Sequence, residues 1–207
     1  MEQLTDGLWR WTTRHPEWHP GEFGAEVACF AAQAGDTTLL IDPLLPPEPA
    51  EVLDTIDGAL GERLAILITI PYHVRSSEEL WRRYRRDAET TIHGHRAAAK
   101  RLEDRSAFRE IEPGVPLPGG VTAYTIGKPR RYEMPLHLPS HGALAFGDAV
   151  WRSTASSGCG PRTRSTPRSS ASTESASTRP WSRSWSSTSM LSFPRTGCRS
   201  SPTASRR

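Results

Sequence analysis

At Val150 the chain changes composition, and that break limits how much of it can fold around a core. Residues 1–150 mix apolar and polar residues as a globular domain does and end in Ala143-Leu-Ala-Phe-Gly-Asp-Ala-Val150. From Trp151 to Arg207 there is no Val, Ile, Asp, Asn, Gln, Lys, His or Tyr, and Ser (18), Arg (10) and Thr (8) fill 36 of the 57 positions. So few apolar side chains cannot bury enough surface to offset the entropy of ordering the segment. Residues 1–150 are therefore expected to fold, and 151–207 to be either a disordered arm or the product of a shifted reading frame.

The genetic code discriminates between these two. In the overlapping frame each codon takes the third base of one tail codon and the first two of the next. From Trp151 through Gly160 the permitted codons include Val-Glu-Val-Asp-Gly-Glu-Leu-Arg-Val-Trp, two alternating strands around an Asp-Gly turn. Around Met190 to Cys198 they include Asp-Ala-Leu-Val-Pro-Thr-His-Gly-Val. Codon freedom makes either match permissive; both together favour the frameshift.

The bulk charge then belongs to the tail. The whole chain is +3, but the tail carries 10 Arg against one Glu, which leaves the body with 16 basic and 22 acidic residues, or −6. An acidic body gives no support to nucleic-acid binding, which is not expected. No apolar run is long enough to span a bilayer, and the opening Met-Glu-Gln-Leu-Thr-Asp-Gly lacks the form of a secretory signal, so a cytoplasmic protein without a membrane partner is expected. Only Cys29 lies in the body, so neither a disulfide framework nor a cysteine-rich zinc motif can be assembled.

Periodicity predicts an α/β domain. Gly24–Gln33 and Thr37–Asp42 read as a hairpin around Ala-Gly-Asp, and Glu51–Leu60 as a helix ended by Gly61. Leu64–Ile70 is short and nearly all apolar, the mark of a buried strand. Ser76-Ser77-Glu78-Glu79 opens a helix with Ser76 as N-cap, and its Arg82, Arg83, Arg85 and Arg86 read as a solvated end. Thr90–His93 is expected as a strand and Arg96–Leu102 as a helix, with short strands near 108–111, 121–126, 134–138 and 143–146. Trp9 and Trp11 share a strand face opposite Leu8 and Arg10 and are expected to cover the sheet rather than line a cleft.

Four features in order resemble the metallo-β-lactamase fold. Thr37-Thr-Leu-Leu-Ile-Asp42-Pro43 is similar to its second hairpin, and Leu64–Thr69 to the strand before its metal loop. Phe146-Gly147-Asp148-Ala149 resembles its Gly-Asp turn, whose carboxylate bridges the metals, and the overlapping-frame Thr-His-Gly resembles its last metal histidine. The resemblance implies an αββα sandwich, incomplete on the C-terminal side, and hydrolase ancestry with zinc as the family's cofactor. It leaves open whether this chain is an enzyme.

The metal loop departs from the pattern. After Thr69 the family's His-x-His-x-Asp-His falls on Ile70, Tyr72, Val74 and Arg75, none of which keeps its ligand. Catalytic zinc takes about three protein ligands and an open water position. Asp148 keeps the family's place and His73 stands one residue out of register, so these two are the candidate metal residues. A relocated site would draw on His73 with His93, His95, His137 or His141; the competing reading makes these ordinary loop and turn residues, and Asp148 a turn-forming carboxylate.

Two function classes follow. One is a protein of hydrolase ancestry without the ordinary binuclear zinc site, inactive as written, with a hydrolase built on a non-standard metal site as its variant. The other is a non-catalytic module in which Arg75 and Tyr72 hold a small anion where metal would sit. An RNA-binding role for the Arg/Ser-rich tail is a third, weaker reading. The substrate or ligand is a small molecule that these residues do not name.

Overall fold

The computed structural model describes residues 1–20, 24–130, 132–148 and 189–192. The chain begins with strands β1 (Glu2–Thr5), β2 (Leu8–Arg14), β3 (Glu26–Ala34) and β4 (Thr37–Ile41), each antiparallel to the one before. Helix α1 (Ala50–Gly58), β5 (Arg63–Ile68), α2 (Ser77–Tyr84), β6 (Glu89–Gly94) and β7 (Phe108–Glu110) follow, and β4 to β7 run parallel. Sequence order is therefore spatial order across a seven-stranded mixed sheet. A second, antiparallel sheet holds β8 (Thr122–Ala123), β9 (Leu136–Leu138), β10 (Ala143–Phe146) and β11 (Ser189–Ser192).

The continuous apolar runs of β3, β4 and β5 are explained by burial on both faces. Cys29, Ala31, Leu40, Leu64, Ile66 and Ile68 pack with Val52 and Ile56 of α1 and Leu80, Trp81 and Tyr84 of α2. Their alternates, Ala28, Phe30, Ala32, Leu39, Ile41, Ala65 and Leu67, meet Ala123, Leu136, Leu138, Ala143 and Ala145 of the second sheet. The layers run helices, sheet, sheet. Among the described residues no helix covers the outer face of the second sheet, so these residues form three layers of the expected α/β sandwich.

The sequence elements are recovered with three corrections. The helix expected over 96–102 is a single 3-10 turn, Ala98–Arg101, because Leu102 returns to extended backbone. The strands expected over 121–126 and 134–138 shorten to two and three residues, since Tyr124 and the residues after it leave the sheet. Ser76 stands at the start of α2, but its hydroxyl makes no cap bond; it accepts the N–H of Leu45 instead, at 3.0 Å. Trp11 is buried on the helix side with its indole donating to the Leu44 carbonyl at 2.9 Å, so it covers the sheet as expected.

The expectation of a disordered 151–207 falls mostly outside the described residues. Ser189–Ser192 departs from it: this segment pairs with Phe146–Ala143 as an antiparallel strand. No helix among the described residues is long and apolar enough to cross a membrane.

Candidate functional site

Parallel strands β4, β5 and β6 end together, and β10 ends beside them, so four chain segments leave the sandwich at one rim. Asp42 follows β4, Thr69 follows β5, His95 follows β6, and the Gly147-Asp148 turn follows β10. This is where an open parallel sheet presents loops to a ligand.

Asp42 organises the rim. Fully buried, it accepts the Thr69 N–H at 2.8 Å, the Thr69 hydroxyl, and a bond to His73 Nδ1 at 2.8 Å. The other nitrogen of that imidazole, Nε2, lies 3.5 Å from Asp148 Oδ1. His73 is thus held between two carboxylates. Burial pushes the Asp42 carboxyl up, but the charge and hydrogen bond of His73, with Arg75 and Thr69, outweigh it and leave it below the usual carboxylate range. For His73, burial and the Arg75 charge push down, yet Asp42 and Asp148 hold it above the ordinary imidazole value.

The loop that carries His73 is fixed by residues at uncommon backbone angles. Asp42 has φ 46° and Arg75 φ 43°, both in the left-handed region that costs a non-glycine residue. They lock onto each other: the Arg75 guanidinium donates to the Asp42 carbonyl at 2.8 Å, and the Ser76 N–H donates to the Pro43 carbonyl at 3.0 Å. Arg75 also faces the thiol of Cys29, which takes the Leu44 N–H at 3.2 Å. Burial pushes that thiol up to about 11. With Cys159 and Cys198 changed to Ser, a thiol reagent at mildly alkaline pH is expected to label Cys29 far more slowly in the folded chain than in denaturant. Equal labelling rates would contradict the burial.

Ile70 fills the space beside the Gly-Asp turn. A Cβ on Gly147 would stand 2.5 Å from Ile70 Cδ1 and 2.6 Å from the Thr69 hydroxyl, so only glycine lets the turn close over this loop. Val74 packs into the helix-side core. Tyr72 is half exposed under the guanidinium of Arg101, 4.4 Å from its ring centre. Tyr72 and Arg75 thus make separate contacts, one at the surface and one toward Cys29.

Glu133 was missed in the sequence. It is 2% exposed, accepts the Asp148 N–H at 3.0 Å, and has Arg130 3.5 Å away. The same guanidinium reaches Asp148 Oδ2 at 3.7 Å. A Glu in an exposed-looking loop gives no signal of burial; in the fold its neighbour Met134 anchors the segment, its N–H bonding the Thr69 carbonyl at 2.8 Å.

The other histidines do not converge on this place. His93 points into the sandwich beside Thr91, at 2.9 Å, and burial and Arg109 lower it to about 4. His95 stacks on Tyr132 at 4.9 Å and accepts the Ala97 N–H. His137 lies on β9 in register with Thr122 and Leu144, and His141 lies against Gly7 at the opposite end of the sandwich. Among the described residues no three of His, Cys, Asp and Glu are grouped to hold a metal ion.

Helices on a mixed sheet, a second sheet behind it, and a Gly-Asp turn at the strand ends define the architecture. This layering agrees with the resemblance to the metallo-β-lactamase fold seen in the sequence. No family model and no curated protein matches the chain. Among solved structures, a metallo-β-lactamase from Hirschia baltica is 13% identical over 68% of this chain and 67% of its own, with a TM-score of 0.46. The apo chemotaxis sensor ODP from T. denticola is 14% identical over 69% of this chain and 64% of its own, TM-score 0.45. A B3 metallo-β-lactamase with an active-site glutamic acid is 18% identical over 57% of this chain and 51% of its own, TM-score 0.40. The chain spans about half to two thirds of the length of these proteins.

Proposed function

We propose that this chain is a metallo-β-lactamase-fold protein of hydrolase ancestry whose cleft does not assemble the ordinary two-zinc centre. One observation carries the reading: the four positions of the ligand pattern are all put to other uses. Ile70 packs under Gly147, Val74 lies in the core, Arg75 clamps Asp42, and Tyr72 lies at the surface. His73 and Asp148 remain, two donors where catalytic zinc takes about three. Arg130 adds a fixed positive charge 3.7 Å from Asp148, which opposes a dication there. The donor set does not fit the group, and no hydrolytic step is derived through it.

We also propose that residues 151–207 are translated from a shifted frame. The support is compositional: the abrupt loss of Val, Ile, Asp, Gln, Lys, His and Tyr at 151, and an overlapping frame that restores strands and a Thr-His-Gly.

Metal analysis of the purified chain tests the first reading. The expected result is less than one zinc per chain after dialysis against zinc-supplemented buffer, with no change in melting on adding chelator. Two retained zincs per chain would overturn it. Sequencing the coding DNA across codon 150 tests the second.

A further inference from the structure

The body carries a net charge of −6, yet three stretches of the loops at the rim contain no acid. Segment 70–75 brings Tyr72, segment 95–102 brings Arg96, Lys100 and Arg101, and the wholly exposed 124–130 brings Lys128 and Arg130; none of these segments contains Asp or Glu. The nearest exposed acid in sequence, Glu103, is paired with Arg82 at 3.0 Å.

Each loop brings an aromatic or basic group to the strand ends, and His73, next to Tyr72, faces Asp148 at 3.5 Å. Arg101, from the turn after β6, lies over the ring of Tyr72, from the loop after β5. His95, where β6 ends, stacks on Tyr132. Tyr132 adjoins Glu133, which holds the N–H of Asp148, and Arg130 reaches the Asp148 carboxylate itself. Tyr72 is 51% and Tyr132 41% exposed, and the Arg130 side chain 43%, so each keeps a solvent-exposed side at the strand ends.

We propose that this rim binds a small ligand combining a planar aromatic ring with an anionic head, phosphate or carboxylate. Arg101 and Arg130 take the head, since a guanidinium matches either oxyanion with paired donors. Tyr72 and Tyr132 take the ring, a contact that requires flat exposed faces. Asp148 and Glu133 face Arg130 on one side, and those carboxylates disfavour an anion driven deeper than the rim. The anion site moves outward from the Arg75 expected in the sequence, because Arg75 is turned to Asp42 and Cys29. The proposal is independent of the zinc reading.

Calorimetric titration of the full 207-residue chain in chelator-treated and in zinc-supplemented buffer tests it. The probes are AMP and benzoate, with adenosine as a ring without the head and ribose 5-phosphate as a head without the ring. AMP or benzoate is expected to bind equally in both buffers, and the stronger of the two identifies the head as phosphate or carboxylate. Adenosine and ribose 5-phosphate are expected to bind at least roughly tenfold more weakly than AMP where the head is phosphate, and Arg101→Ala and Tyr72→Leu to weaken the better ligand by a similar factor without moving the melting temperature. Arg101→Lys, which keeps the charge but not the fork, is expected to fall between. No binding of AMP or benzoate at millimolar concentration would overturn the proposal, as would affinity unchanged in Arg101→Ala. A single-stranded oligonucleotide bound far more tightly than AMP, with steep salt dependence, would overturn the small-ligand assignment in favour of a polymer. Two retained zincs with ligand binding intact would sink the zinc reading alone.

Discussion

Asp42→Ala is expected to cost about 3–5 kcal/mol of folding stability, the loss typical of removing one partner from a buried charged pair. The carboxylate is fully buried and answers the Thr69 N–H, the Thr69 hydroxyl and His73. Its removal strands all of these donors out of reach of water. The pair also sets a pH window. Since the folded value of His73 is raised, its contribution is complete below the usual 6.5 and fades as pH rises through the folded value. Since that of Asp42 is lowered, its contribution is complete above the usual 3.8 and fades as pH falls through the folded value. Stability from the pair is therefore greatest between those two figures and declines on the alkaline side first in any physiological titration. Urea unfolding of the parent and Asp42→Ala from mildly acidic to alkaline pH checks this. Parallel curves, with the parent losing nothing as pH rises, would contradict the pairing.

Restoring the overlapping frame after Val150 is expected to raise the solubility of the chain and to sharpen its urea transition. The outer face of the second sheet presents half-buried His137, Leu144 and Phe146, with no helix over them among the described residues. Its strand β11 joins β10 only across residues 147–188, whereas antiparallel neighbours are ordinarily joined by a short hairpin. Closing so long a connection costs roughly 2 kcal/mol more than closing a five-residue one, at about 0.6 kcal/mol per doubling. The overlapping frame instead supplies two alternating strands directly after the Gly147-Asp148 turn. Sheet edges and apolar faces left without such partners favour association between chains. Expressing both forms and comparing sedimentation and urea transitions settles the matter. A monomeric, cooperatively unfolding 207-residue form with residues 151–207 protected from protease would refute both the frameshift and the expected instability.

Much of the first sheet was legible because its strands are bounded by strong punctuation. The Gly35-Asp36 turn separates β3 from β4, and Gly61 separates α1 from β5, where an added Cβ would meet the Asp36 carbonyl at 2.2 Å. The short strands of the second sheet were harder. Thr122–Ala123 is too brief for a period to declare itself, and the loop from Tyr124 to Arg130 contains apolar residues that never pack. At the site, Asp148 and His73 were singled out in the sequence, but their relation was not, because it depends on Asp42. A turn-forming Asp-Pro reads as local geometry, and only tertiary packing reveals that its carboxylate holds the imidazole. Glu133 was invisible for the same reason: its partner is a backbone N–H fifteen residues away.

The interlock of Ile70 with Gly147 makes the loop a one-way valve for mutation. Placing a ligand at Ile70 alone opens a void beside Gly147; placing one at Val74 puts a polar group into the core; replacing Arg75 frees the strained Asp42 turn from its clamp. Each step loses stability at once, while a gain from metal requires about three ligands together. Single substitutions therefore descend from this loop in every direction that leads toward a metal centre. Selection acting one residue at a time will keep it as it is, and a designer who wants zinc here has to change several positions in one move.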